Sequence, residues 1–149
     1  MKNERVFIIS GEASGDLHAA NLVKAWKKIN PTMEFVAWGG DRLIAENVSV
    51  LKHIRELSFM GFLEVFLNIF TILKNFKTCK AQLAEFKPSV IVLVDFPGFN
   101  LRIAEWAKKR GIHVVYYISP QLWAWKQNRV KKIKKFFKKF LKITKPNIT

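Results

Sequence analysis

Three short segments of this chain hold side chains that can do chemistry. Gly11-Glu12-Ala13-Ser14-Gly15-Asp16 combines small residues, a hydroxyl and two carboxylates. Placed between a strand and a helix, the backbone N–H groups of such a loop can hold an anion at the helix N-terminus. A tight turn with Ser14 or Asp16 as N-cap accounts for the same residues. The spacing matches neither GxGxxG nor a Walker loop. The second segment, Asp95-Phe96-Pro97-Gly98-Phe99-Asn100, puts a carboxylate directly after a wholly apolar run. Beside Phe96 and Phe99, Asp95 can have a raised pKa and serve as a general base. A turn or N-cap aspartate before Pro97 fits equally well. The third segment runs from Ser119 and Pro120 to Trp123 and Trp125. Tryptophans there can stack on a sugar or base, lie at a lipid interface, or plug a core between domains.

The elements around these segments place them on one rim. Residues 5–10 (RVFIIS) and 34–38 (EFVAW) read as strands, and 89–94 (SVIVLV) is apolar on both faces, as in the middle of a parallel sheet. Residues 112–118 (IHVVYYI) form a further strand. Helices are expected over 16–30, stopped by Pro31, over 41–47, and after Asn100 to about Arg110, ended by Gly111. Strand and helix thus alternate four times, the mark of βαβ units and a parallel sheet covered on both faces. Ligands of open α/β sheets bind beyond the carboxyl ends of the strands. The three marked segments all fall there.

Residues 57–73 (LSFMGFLEVFLNIFTIL) carry one charge, Glu64. A span needs about 20 apolar residues, and Glu64 and Asn68 near the centre oppose spanning. An amphipathic helix continuing to about Phe86 fits better. Leu63, Val65, Phe66, Ile69, Ile72 and Leu73 cover more than one of its faces. Part must be core; the surplus fits acyl chains or a membrane surface. Cys79 reads as a small core residue, and His18, His53 and His113 lack ligand spacing, so neither a metal nor a cofactor is expected.

Charge is unevenly spread. The chain has 149 residues and a net charge of +15, yet residues 1–105 hold 13 basic and 11 acidic groups, and residues 106–149 hold 13 basic groups and no acid. The length is about one domain's worth; 50% hydrophobic residues exclude general disorder, and one cysteine excludes a disulfide framework. A helix over about 127–142 interleaves lysines and Arg129 with Phe136, Phe137 and Phe140. That pattern fits an anionic membrane surface. Nucleic acid is not expected, for no RNP, zinc-finger or helix-turn-helix signature accompanies the charge. The N-terminal MKNERVF has no signal-peptide core, so a cytoplasmic address is the default.

Five ordered motifs resemble those of lipid-A-disaccharide synthases, inverting glycosyltransferases of the GT-B fold. They are GEASGD at 11–16, WGGDRL at 38–43, MGFLEVF at 60–66, DFPGFN at 95–100 and ISPQLWAWKQNRVKKI at 118–133. The resemblance implies a Rossmann-like parallel sheet with helices on both faces, the N-terminal half of a GT-B fold. It implies the condensation of UDP-2,3-diacylglucosamine with 2,3-diacylglucosamine 1-phosphate (lipid X), giving lipid A disaccharide 1-phosphate and UDP. Asp95 matches the family's proposed general base, and Ser14 a residue important for activity. Gly11, Glu12, Gly15, Asp16, Asn100, Ser119, Pro120, Trp123, Trp125 and Arg129 lie in the motifs expected to bind substrate. Leu63, Val65, Phe66, Ile69, Ile72 and Leu73 match an apolar patch linked to acyl chains and the membrane.

The resemblance also implies a chain of more than twice this length, with most of the UDP site on a second domain. Residues 1–142 are therefore expected to be the acceptor-binding domain and 143–149 a divergent tail. The product is read as a truncated or split portion, inactive alone, and peripheral on the cytoplasmic face of the inner membrane. The alternative is a non-catalytic basic module that binds membrane surfaces.

Overall fold

A computed structural model of the chain describes residues 3–57 and 69–117. These lie in a unit spanning Met1–Ile118; Ser119–Thr149 forms a second unit. Ser119, Pro120, Trp123, Trp125 and Arg129, the basic segment over 127–142 expected to be helical and the tail at 143–149 lie outside the described residues, as do Leu63, Val65 and Phe66.

Five parallel strands make one sheet: β1 (Arg5–Ser10), β2 (Glu34–Gly39), β3 (Ser49–His53), β4 (Val90–Val94) and β5 (His113–Tyr117). The order is β3-β2-β1-β4-β5. β1 and β4 are the most apolar runs and lie side by side, with Ile8 opposite Val92 and Ser10 opposite Val94. From Val6 to Ile9 and from Ile91 to Val94 every side chain is shut off from solvent, because helices cover both faces.

The strand period of two divides these side chains between the faces. Val6, Ile8, Ala37, Val92 and Val94 pack with Ala19, Ala20 and Val23 of α1 (Ala13–Ile29) and Leu43 of α2 (Asp41–Ala45). On the opposite face Phe7 meets the edge of Phe86, at the end of α3 (Ile69–Phe86), and Trp38 stacks on Phe99 of α4 (Pro97–Lys109) at 5.3 Å. Phe76, Cys79 and Leu83 form the buried stripe of α3. Burial pushes the Cys79 thiol well above its ordinary range, so it is inert core, as expected from the sequence. α4 ends in a Schellman cap at Gly111, with the Gly111 amide on the Lys108 carbonyl and the Ile112 amide on that of Ala107.

Two expectations need correction. α1 begins at Ala13, three residues before the expected start, with Glu12 as an extended N-cap that makes no side-chain bond. Neither Ser14 nor Asp16 is the cap, because both lie inside the helix. Among the described residues the strands number five, not four. β3 is an edge strand whose residues are exposed or half-buried; Lys52 and His53 break the apolar run by which a strand is recognised. It is set off from α2 by Asn47 in the left-handed conformation (φ 58), which asparagine tolerates well. Among the described residues no helix is long and apolar enough to cross a membrane.

Candidate functional site

Parallel strands bring all their carboxyl ends to one edge of the sheet. The strand order reverses between β1 and β4, and at such a switch point the following loops diverge and leave a crevice. The Gly11 loop follows β1, and the Asp95 turn follows β4.

The two loops touch. The Phe96 ring lies so close over Gly11 that a β-carbon there would sit 2.4 Å from its Cγ. Any other residue would displace the ring. Phe96 in turn stacks on Phe99 at 5.2 Å, and Phe99 on Phe76 at 4.4 Å. One aromatic column therefore runs from the glycine loop into the core beneath α3.

Asp95 and Phe96 are both left-handed, at φ 51 and φ 48. Residues with a β-carbon hold that conformation at a cost of about 1–2 kcal/mol each. Such pairs collect at turns that must aim a side chain. Asp95 is half-buried, and among the described residues no hydrogen bond or ion pair takes up its carboxylate. Among the described residues its oxygens are therefore open to accept a proton or a hydrogen bond at the carboxyl end of β4.

Asn100 is wholly buried. Its Nδ2 donates to the carbonyls of Ile9 (3.3 Å), Val94 (3.5 Å) and Asp95 (2.8 Å). It ties the ends of β1 and β4 together; among the described residues its Oδ1 has no hydrogen-bond partner. Tyr116, on β5, donates its hydroxyl to the same Asp95 carbonyl at 3.0 Å. Burial, with the Asp95 charge second, pushes that hydroxyl well above the ordinary phenol range, so it remains a donor across the neutral range.

Asp16 has a structural task. It is 2% exposed, and its oxygens accept the amides of Gly40 (2.7 Å), Arg42 (2.9 Å) and Leu43 (3.3 Å). A residue near the start of α1 therefore caps α2, across 24 residues of chain. Replacing it strands three donors, two of them buried. Asp16→Ala is expected to cost about 3 kcal/mol, seen as a lower urea midpoint with an unchanged slope. Asp16→Asn, which keeps one acceptor oxygen, should fall between.

Glu12 and Ser14 are exposed, and Gly15 packs against Ser10 and Val94. Hence Gly11, Glu12, Ser14, Asp95 and Asn100 gather at the switch point, with Asp16 turned inward beneath them. The expected apolar set divides. Ile72 is half-buried, in line with Phe76, whereas Leu73 is 53% exposed; Ile69 opens the described helix. Phe70, which sequence reasoning missed, is 84% exposed beside Leu73. Tyr116 was missed as well. Its only signal is a hydroxyl-bearing residue near the carboxyl end of a strand.

A second polar group lies at the ends of β2 and β3. His53 Nδ1 accepts the Arg55 amide, so Nε2 carries the hydrogen and donates to Asp41 at 3.1 Å. Arg55 pairs with the other Asp41 oxygen at 3.0 Å. The His53 hydrogen bond, with the Arg55 charge second, holds the Asp41 carboxyl below its ordinary range.

Five parallel strands with a loop-built site at the switch point define a Rossmann-like α/β domain, of the kind that forms half of a GT-B glycosyltransferase. The solved glycotransferase of kitacinnamycin shares this fold, with a TM-score of 0.58 at 12% identity over 93% of this chain and 37% of its own. The lipid-A-disaccharide synthetase family model matches residues 6–144, and the chain belongs to that family. A lipid-A-disaccharide synthase of Geobacter metallireducens is 43% identical over 88% of this chain, and one of Myxococcus xanthus 45% identical over 92%. The matches cover 34% and 36% of those relatives, so the chain spans about a third of their length.

Proposed function

We propose that residues 1–142 are the acceptor-binding part of a glycosyltransferase of lipid A biosynthesis. The complete enzyme joins UDP-2,3-diacylglucosamine to lipid X and releases UDP. The observation that carries this reading is the Asp95 carboxylate, without a partner among the described residues and held on a left-handed turn against the glycine loop in a chain of this family. A sugar hydroxyl is a weak nucleophile. A carboxylate within reach of the acceptor 6-hydroxyl takes its proton as the bond to the anomeric carbon forms. Inversion follows from a single displacement, by analogy with single-displacement glycosidases. The departing diphosphate needs cationic or helix N-terminal stabilisation, which this reading assigns to the remaining two thirds of the enzyme.

Membrane attachment belongs to the same reading. Exposed Phe70 and Leu73 stand beside Lys74 and Lys77 on α3, and residues 106–149 add 13 basic groups. An apolar strip flanked by lysines suits an anionic surface. The reading places the protein on the cytoplasmic face of the inner membrane.

The test completes the chain with the two thirds of the Geobacter metallireducens relative that it does not match. The chimera is expected to form the disaccharide phosphate and UDP from the two substrates, each half alone forming none. Salt-sensitive binding to anionic vesicles, without turnover or affinity for lipid X, would instead favour a non-catalytic membrane-binding module.

A further inference from the structure

The left-handed pair at Asp95 and Phe96 must be held by something, because each residue alone prefers another conformation. Two donors meet on the carbonyl between them. The Tyr116 hydroxyl reaches the Asp95 oxygen from β5 at 3.0 Å, and Asn100 Nδ2 reaches it from the first turns of α4 at 2.8 Å. A carbonyl gripped from a neighbouring strand and from its own helix cannot turn, so the peptide plane that sets the direction of the Asp95 side chain is fixed. The two donors differ in what else they do. Asn100 also binds Ile9 and Val94 and holds the strand ends together. Tyr116 makes its hydroxyl bond to the Asp95 carbonyl from β5, the strand next to β4.

We infer that Tyr116 is the positioning residue of this site: through its hydroxyl bond to the Asp95 carbonyl it keeps Asp95 and Phe96 left-handed, so that the Asp95 carboxylate faces the acceptor and the Phe96 ring stays seated on Gly11. The inference rests on Asp95 acting as the base, and it adds the group that aims it. In this role Tyr116 acts through the Asp95 backbone rather than on substrate. Its loss therefore weakens the alignment of the base, leaving acceptor affinity in place.

The deciding variant is Tyr116→Phe, which removes one oxygen and keeps the ring. In the chimera it is expected to lower kcat about tenfold, the worth of one hydrogen bond, with KM for lipid X within about twofold of the parent. In the 149-residue chain the Cα–Hα couplings and carbon shifts of Asp95 and Phe96 should lose their left-handed signature, while core methyl resonances of Ile8 and Val92 stay unmoved. Unmoved core resonances exclude simple unfolding as the cause. An unchanged kcat together with unchanged signatures overturns the assignment, as does a rise in KM at constant kcat. Asp95→Asn is measured alongside. If Asp95→Asn abolishes turnover and Tyr116→Phe does not reduce it, the base stands and the positioning role falls. If Asp95→Asn turns over normally, the base reading falls. The clamp is then judged by the resonance signatures alone, and their persistence in Tyr116→Phe refutes it.

Discussion

Asp95→Asn is expected to reduce turnover of the completed enzyme by about 10²–10⁴-fold, the usual contribution of a positioned general base. Asparagine is the informative replacement because the backbone there is left-handed at φ 51. Asparagine adopts that conformation readily. The turn, the Phe96 contact and the two hydrogen bonds to the Asp95 carbonyl should survive, and only the charge and the basicity are lost. Stability should therefore hold within about 0.5 kcal/mol, as for substitutions that break no buried feature. Alanine removes the base too, but also has to sit left-handed, at roughly 1 kcal/mol. A loss shared by both variants thus belongs to the carboxylate, and any extra loss in alanine to the turn. The measurement is initial velocity with both sugars saturating, beside thermal unfolding of each variant. Full turnover in either variant would remove Asp95 from the chemistry and leave it a turn residue.

Much of this arrangement is legible in the residues, and the gaps have physical causes. The strands over 5–10 and 90–94 announce themselves as apolar runs because both of their faces are covered, and 113–117 by its β-branched and aromatic residues, although only Val114 is buried there. Their parallel order puts Gly11–Asp16 and Asp95–Asn100 on one rim, and topology alone reaches that far. β3 is hidden because an edge strand has no need to be apolar on both faces. The task of Asp16 is hidden because its amide partners come from Gly40, Arg42 and Leu43, far along the chain. A cap read from local spacing looks for the helix next to the residue; here the capped helix is the following one. The left-handed backbone at Asp95 and Phe96 is hidden for a sharper reason. Local preference argues against it, and it exists only because Tyr116, Asn100 and the aromatic column impose it. Such conflicts between local preference and final structure are expected where a site is held under strain.

Gly11→Ala is the other large effect, and it tests whether the crevice floor is one packed unit. The new β-carbon would lie 2.4, 2.5 and 2.8 Å from Cγ, Cδ2 and Cδ1 of Phe96. These atoms are at the root of the ring, so a small swing of its far end cannot make room. The whole ring has to leave, and it is already stacked on Phe99, which is stacked on Phe76 and Trp38. Overpacking of this kind costs about 1–3 kcal/mol, a fall in melting temperature on the order of 5 °C for a chain of this size. Turnover should fall further than stability, because Phe96 and Asp95 share the same left-handed turn and a displaced ring turns the carboxylate with it. Gly98→Ala supplies the comparison. It sits in the first turn of α4 three residues beyond Asp95, and an added β-carbon there meets nothing within 4 Å. Alanine in that helical position should be neutral or stabilising by up to about 1 kcal/mol. If Gly11→Ala melts and turns over like Gly98→Ala, then Phe96 is free to move and the aromatic column does not hold the base. A loss confined to Gly11→Ala ties the glycine loop, the aromatic column and Asp95 into one mechanical unit.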